Sequence, residues 1–355
     1  MGIAGCTALI LTGFGVRDSI NDVVALQYSE IWNYNAVVVL DDMNDKASLA
    51  YIGDTLASYS DDYSSLPVIQ KTIVAKNDHS EMEVNMLSAE NLDVLEDMMN
   101  LRTRQGHDKL TLDNNGVIIT EKLATMLNLS VGDTISLKIE DSQQIEIPIT
   151  AIAENYLYHY VYMTADVYQL YCNEAFEPNS LLIRYDTKDE DALVSAVLEN
   201  DNILSFTRLS ELQSTFSDIM SVMDVVVLVL IMSAGALAFV VLYNLTNINI
   251  SERIREIATL KVLGFRDKEV TMYIFRENIV LTFIGSVCGL LGGRLLTSFV
   301  VKTAEIDIVM FGRTVSVWSY LIAFLLTFAF SIIATFIMKP KLDKISMTES
   351  LKSVE

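Results

Sequence analysis

The sequence predicts a membrane all-α bundle, three complete transmembrane helices plus a truncated first one, joined to an extracytoplasmic α+β domain. Three observations predict it. The first is segregation of charge: the 355 residues combine a net charge of -21 with 51% hydrophobic residues, which one evenly mixed soluble domain does not do. Residues 15–216 hold 34 of the 46 acidic and 12 of the 25 basic residues, so the remainder is nearly neutral and very apolar. The second is three apolar runs long enough to cross hydrocarbon, and the third is a mixture of strand-like and helix-like patterns confined to the acidic region.

Taken in chain order, the first element is Gly2–Phe14, too short to span at a rise of about 1.5 Å per residue. It has no basic leader and no small-residue cleavage site, as a signal peptide requires. Residues 1–14 are therefore expected to be the outer half of a transmembrane helix whose inner half lies upstream. Residues 15–216 form the acidic domain. Its predicted strands are Tyr34–Leu40, Lys71–Ala75, Gly116–Ile119, Thr134–Ile139, Ile145–Ile152, Tyr156–Met163 and Leu181–Tyr185. Its predicted helices are Lys46–Ser58, Ala89–Leu101, Glu121–Leu127, Ala165–Cys172 and Glu190–Leu198, with a last one running from Leu209 into the membrane.

Residues 217–340 form the transmembrane domain, with spans at 222–245, 274–301 and 315–338 and a cytoplasmic loop at 247–272; residues 341–355 form a cytoplasmic tail. Orientation follows from basic residues beside the spans. The loop carries Arg253, Arg255, Lys261, Arg266 and Lys268, and the tail carries Lys339, Lys341, Lys344 and Lys352. Both therefore face the cytoplasm, which puts the acidic domain outside. Within the loop, Asn249 and Glu252 suit a capping box. Ile250, Ile254, Ile257 and Ala258 share one helical face, and Gly264 suits a left-handed cap.

This loop resembles the corresponding loop of FtsX-like ABC permeases of MacB-like topology. The pattern is Arg253-Ile254-Arg255-Glu256-Ile257 followed by Lys261-Val262-Leu263-Gly264-Phe265. A second resemblance is Gly116-Val117-Ile118-Ile119-Thr120-Glu121-Lys122-Leu123-Ala124 with Val131-Gly132-Asp133-Thr134-Ile135, similar to the external domains of that family. The resemblance implies the C-terminal part of a longer permease. It further implies a cytoplasmic ABC ATPase as partner, a second permease half or a homodimer partner, and a lipid bilayer around the spans. ATPase coupling would fall to Arg253, Arg255, Glu256, Lys261 and Gly264, serving export or mechanotransmission through the external domain. The alternative is a regulatory protein of the same architecture that activates a cell-wall hydrolase or senses an antimicrobial peptide. A membrane-anchored receptor independent of any ATPase fits the basic amphipathic loop less well.

Enzymatic chemistry is not expected. There is no Gly-x-x-x-x-Gly-Lys-[Ser/Thr] phosphate loop, so ATP belongs to another chain. No cofactor is implied. His79, His107 and His159 lack metal-ligand spacing, and Cys6, Cys172 and Cys288 are too scattered for a disulfide framework or a zinc site. An acidic domain disfavours nucleic acid as a partner.

Three further patterns carry expectations. Gly285, Gly289 and Gly293 form a smooth helix-packing strip, with the span 222–245 or a second permease half as the expected partner. Tyr156, Tyr158, Tyr160 and Tyr162 alternate along a predicted strand, as a ligand-contacting stripe or as a half-buried sheet face. Asp218 and Asp224, near the outer end of the first full span, are candidates for an ion or proton site or for simple hydration at the interface.

Overall fold

The architecture is that of a computed structural model, which describes residues 2–77, 80–140 and 143–343. The chain divides into two compact units: Met1–Asn21, Met220–Glu305 and Phe311–Glu355 make one, and Asp22–Ile219 with Ile306–Met310 makes the other. The first is helical and the second is built on a sheet.

Beta-branched and aromatic runs give the sheet unit its strands: β1 (Ala36–Leu40), β2 (Tyr63–Lys76), β3 (Glu81–Ala89), β4 (Val117–Thr120), β5 (Thr134–Glu140), β6 (Gln143–Ala153), β7 (Tyr160–Thr164), β8 (Ser180–Tyr185) and β9 (Ile203–Arg208). They order as β3-β7-β4-β6-β5-β2-β8-β1-β9, and β2 also pairs with β3. That extra pairing closes six strands, β2 through β7, into a barrel. The 14-residue β2 is long enough to serve two layers. Val68–Lys76 pairs with β3 in the barrel, while Tyr63–Val68 pairs with β8 and continues into an antiparallel extension through β1 to β9.

Helices α2 (Lys46–Tyr59), α3 (Leu92–Met98), α4 (Glu121–Leu127), α5 (Ala165–Cys172) and α6 (Glu190–Val197) cover these strands. Their ends are set by side-chain caps: Asp45, Asn91, Thr164 and Asp189 each accept from a backbone N–H of the first turn. Ile52 and Leu56 of α2 and Leu193 and Val197 of α6 pack on Val38 and Ile183. Leu123, Leu127, Val167 and Tyr168, from α4 and α5, join the barrel core with Ile73, Val84, Ile119, Ile135 and Ile147. Gly116 precedes β4 because nothing larger fits: a Cβ there would lie 2.1 Å from the Pro148 carbonyl oxygen.

Predicted and observed bounds coincide for α4 and α5, whereas β3 and β9 were not anticipated. In β3 the outward positions are Glu81, Glu83 and Asn85, which dilute the strand signal, and its Val84 and Met86 are buried by the barrel. The strand expected from Tyr156 begins only at Tyr160.

The helical unit draws on α1 (Gly2–Leu26), α7 (Leu209–Glu252), α8 (Ile254–Val262), α9 (Asp267–Ala304) and α10 (Val317–Asp343), the unit division falling within α1 and α7. Among the described residues four helices are long and apolar enough to cross a membrane: Gly2–Ile31, Leu209–Glu252, Arg276–Ala304 and Val317–Met338. The first was expected to end at Phe14. It continues because its charges are partnered: Arg17 pairs with Asp224 at 3.6 Å, and Asp18 accepts from Ser316 N at 2.9 Å and Ser319 Oγ at 2.6 Å. Asp18 thereby places a carboxylate at the N-terminus of α10, where the helix dipole favours it. Cys6, Ile10 and Leu11 of α1, Ala238 of α7 and Ala323 of α10 share one core. Thr7 and Thr327 add an interhelical hydroxyl contact at 3.2 Å, and Thr282 and Ser331 another at 2.8 Å.

Candidate functional site

Helix α8 carries Arg255, Glu256 and Lys261 of the predicted coupling residues, with Arg253 just before it and Gly264 just after, and its position follows from a two-sided sequence. Ile250 and Ile257 are buried against Met338, with Tyr243 and Leu260 at the margin, so the apolar face is spent on the helical unit. The start differs from expectation. Asn249 lies inside α7, whose backbone runs helically to Glu252, and the break falls at Arg253. With α7 capable of continuing, no cap is needed at Asn249, and the Arg253 carbonyl receives the Ile257 amide at 2.9 Å instead. At the other end Gly264 has φ +91°, and the Leu263 and Phe265 amides donate to the Thr259 and Leu260 carbonyls. A residue with a side chain is strained in that conformation, which is why glycine stands there.

The charged residues then separate by surroundings. Arg253 is held by Glu277 of α9. Arg255 and Glu256 point away from the apolar face and are exposed. The side chain of Lys261 lies outside the described residues. At the other end of α8 Val262 is 56% exposed, and in the turn that follows Leu263 and Phe265 are 70% and 49% exposed.

The glycine strip of α9 packs on α1 and not on the span 222–245. A Cβ at Gly285 would meet Ile3 at 2.9 Å, one at Gly289 would meet the Ala4 carbonyl oxygen and Thr7 Cβ at 2.6 Å, and one at Gly293 would meet Leu11 at 2.9 Å and Ala8 Cα at 3.0 Å. The partner is α1, whose Ala4 and Ala8 are small enough to let the backbones approach. Repeat spacing revealed the strip, while its partner, expected to be the span 222–245 or a second permease half, is α1.

The tyrosine stripe does not form. Tyr158 has φ +60°, which breaks the alternation and leaves its ring 41% exposed. Tyr156, Tyr160 and Tyr162 are buried, and the last two stack at 5.4 Å with planes 3° apart. Burial pushes the Tyr160 and Tyr162 phenols well up, so all remain protonated. The Tyr160 and Tyr162 rings are core, next to Trp32 and Tyr34, not a ligand face.

Asp224 is occupied by Arg17, which argues for a charge pair rather than an ion site. No group of His, Cys, Asp or Glu suited to a metal ion occurs among the described residues. His107 is exposed, His79 lies outside the described residues, and His159 is buried. Burial, then the charge of Lys122, lowers the His159 imidazole from its ordinary value, with Asp307 opposing. The Cys172 thiol is pushed up to about 11 by burial, which makes it inert at neutral pH.

Sequence reasoning missed one buried polar cluster altogether. Arg102, at the edge of the Trp32 core, bridges Glu30 and Glu154; the Nε to Glu154 distance is 2.6 Å, and Tyr156 donates its hydroxyl to the same carboxylate. Glu154 is 2% exposed. Its members come from separated stretches of chain, so no local pattern could have marked them.

Residues 225–346 match the family described as FtsX-like permease C-terminal. The chain is similar over about half its length to three solved structures at low identity. One is the periplasmic region of MacB from Actinobacillus actinomycetemcomitans, 10% identical over 53% of this chain and 94% of that one, with a TM-score of 0.32. Another is the extracellular domain of the noncanonic ABC-type transporter YknZ from Gram-positive bacteria, 11% identical over 50% and 100%, TM-score 0.31. The third is a domain of a putative permease protein from Porphyromonas gingivalis, 15% identical over 50% and 88%, TM-score 0.27. No curated protein matches.

Proposed function

We propose, from the match of residues 225–346 to the FtsX-like permease C-terminal family, that this chain is the membrane subunit of an ABC transporter driven by an ATPase on a separate chain. Residues 15–216 lie outside the membrane, and the loop 247–272 and the C-terminus lie in the cytoplasm. The observation that carries the coupling role is the division of labour in α8. Ile257 of α8 and Ile250 at the end of α7 pack with Met338 of α10, and Arg253, at the break between the two helices, is anchored by Glu277. The other face of α8 and the turn after it present Arg255, Glu256, Val262, Leu263 and Phe265 with no partner of their own size among the described residues. A rigid, half-apolar, half-charged surface on a short helix suits a groove on a cytoplasmic partner. Nucleotide-driven motion of that partner then reaches the spans through α8, and the spans move the external domain for export or force transmission.

The test is co-purification of the full chain with its cognate ABC ATPase from membranes. Leu263→Asp, and separately Arg255→Glu with Glu256→Arg, are expected to lower the recovered ATPase by on the order of tenfold or more while membrane insertion is unchanged. Undiminished association in both variants refutes the coupling role and leaves α8 as a headgroup anchor.

A further inference from the structure

Gln27 is a fully buried amide whose side chain is committed to a stretch more than a hundred residues away. Its Nε2 donates to Asn155 Oδ1 at 2.9 Å, and its Oε1 accepts from the amides of Tyr156 and Leu157 at 2.7 and 3.3 Å. Asn155 Nδ2 donates in turn to the carbonyls of Leu157 and Tyr158, at 2.6 and 3.1 Å. The same stretch is also paired on its backbone with a third one. Tyr158 N donates to Ile308 O at 2.8 Å, Met310 N donates to Tyr156 O at 2.9 Å, and Leu157 and Val309 form an antiparallel bridge.

Residues 155–158 therefore lie between two segments that leave the sheet unit for membrane helices. Gln27 opens the π-helical turn Gln27–Ile31 that follows α1, and Ile306–Met310 connects α9 to α10. The stretch is not part of the barrel, since β6 has ended at Ala153 and β7 starts at Tyr160. Tyr158 is held in the left-handed region with its amide taken by Ile308 and its carbonyl by Asn155, a backbone state that persists only where surrounding contacts over-determine it.

We propose that residues 155–158 are a coupling strap, set by Gln27, through which the end of α1 and the α9–α10 connection open and close on the sheet unit as one cooperative element. Every link in it depends on a neighbour. Removing Gln27 strands the Tyr156 and Leu157 amides and frees Asn155, which then no longer fixes the Tyr158 carbonyl, and the pairing to Ile308 and Met310 is lost with it. The barrel keeps its own hydrogen bonds and core throughout. The strap concerns this chain alone, so it stands or falls independently of any ATPase partner.

Hydrogen exchange on the full chain in lipid nanodiscs tests it, comparing wild type with Gln27→Leu. Amides of residues 306–310, which Gln27 does not touch, are expected to exchange on the order of tenfold faster, together with 156–158, while β4, β5 and β6 keep wild-type rates. Acceleration confined to 156–158, or none at all, overturns the proposal and leaves Gln27 a local support. If Gln27→Leu loses barrel protection as well, Asn155→Ala is the deciding variant and is expected to give the selective pattern. Global acceleration in both also overturns the proposal, because a strap that opens as its own element does not take the barrel with it.

Discussion

Replacing Gly289 by alanine places a methyl group 2.6 Å from the Ala4 carbonyl oxygen, 2.6 Å from Thr7 Cβ and 3.1 Å from Ala4 Cα. Ordinary contact begins near 3.4 Å, and backbone atoms of α1 cannot rotate aside as a flexible side-chain tip can. Gly292 is the internal control: it lies on the same helix, three residues on, and a methyl group there would meet nothing within 4 Å. Alanine at either position gains a similar helix-propensity term of roughly 0.5–1 kcal/mol. That term cancels in the difference, leaving the steric cost at Gly289, about 1–3 kcal/mol for overpacking a close interface. Two readouts follow. Thermal unfolding in detergent should be lower for Gly289→Ala than for Gly292→Ala. In a Cys172→Ser, Cys288→Ser background, the buried Cys6 of α1 should react with a maleimide about tenfold faster in Gly289→Ala, the factor that corresponds to about 1.4 kcal/mol. Equal stability and equal Cys6 labelling in the two alanine variants refute the packing of α1 on the glycine strip.

Two further predictions concern the sheet unit. Arg102→Met leaves the Glu154 carboxylate buried without its cation, which costs about 3–5 kcal/mol; urea unfolding of the full chain, followed by Trp32 fluorescence in a Trp318→Phe background, measures it, and a cost below about 1 kcal/mol contradicts the role of the pair. Adding Glu154→Leu should recover much of the loss, since no charge is then stranded. For His159 the sign is set by its lowered value in the folded state, caused by burial first and Lys122 second. The unfolded chain binds the proton more readily, so stability is full above the unfolded imidazole value of about 6.5 and falls as pH drops below it. Between pH 7.5 and 5.5 the wild type should lose more stability than His159→Gln, and parallel losses in the two proteins refute the assignment.

The long apolar helices, the charge segregation and α8 were legible because each is dictated by nearby residues. Hydrocarbon admits only long apolar runs, so Val222–Leu245, Ile274–Val301 and Val315–Met338 mark helices wherever they pack. The face of Ile250, Ile254, Ile257 and Ala258 and the glycine after α8 follow from helical period and left-handed backbone alone. Leu209 as the start of the long helix α7 was equally local. Alternation misled at Tyr156–Tyr162, where period two fitted a strand and the chain instead turns at Tyr158 to meet Ile308. Length misled at Gly2–Phe14, since Arg17 and Asp18 read as an end until Asp224, Ser316 and Ser319 supplied their partners.

From sequence alone came the identity of the surfaces: an apolar helix face, a glycine strip, an acidic domain, a charged helix with two sides. Only the tertiary structure decided what each surface meets. It closed six strands into a barrel through β2 and β3, gave the glycine strip to α1, and gathered Gln27, Glu30, Arg102 and Glu154–Tyr158 around one buried node. The reason is physical. Periodicity fixes which side of an element is apolar within a few residues of chain, whereas pairing across a hundred residues depends on loop closure and on which desolvated polar groups can satisfy one another.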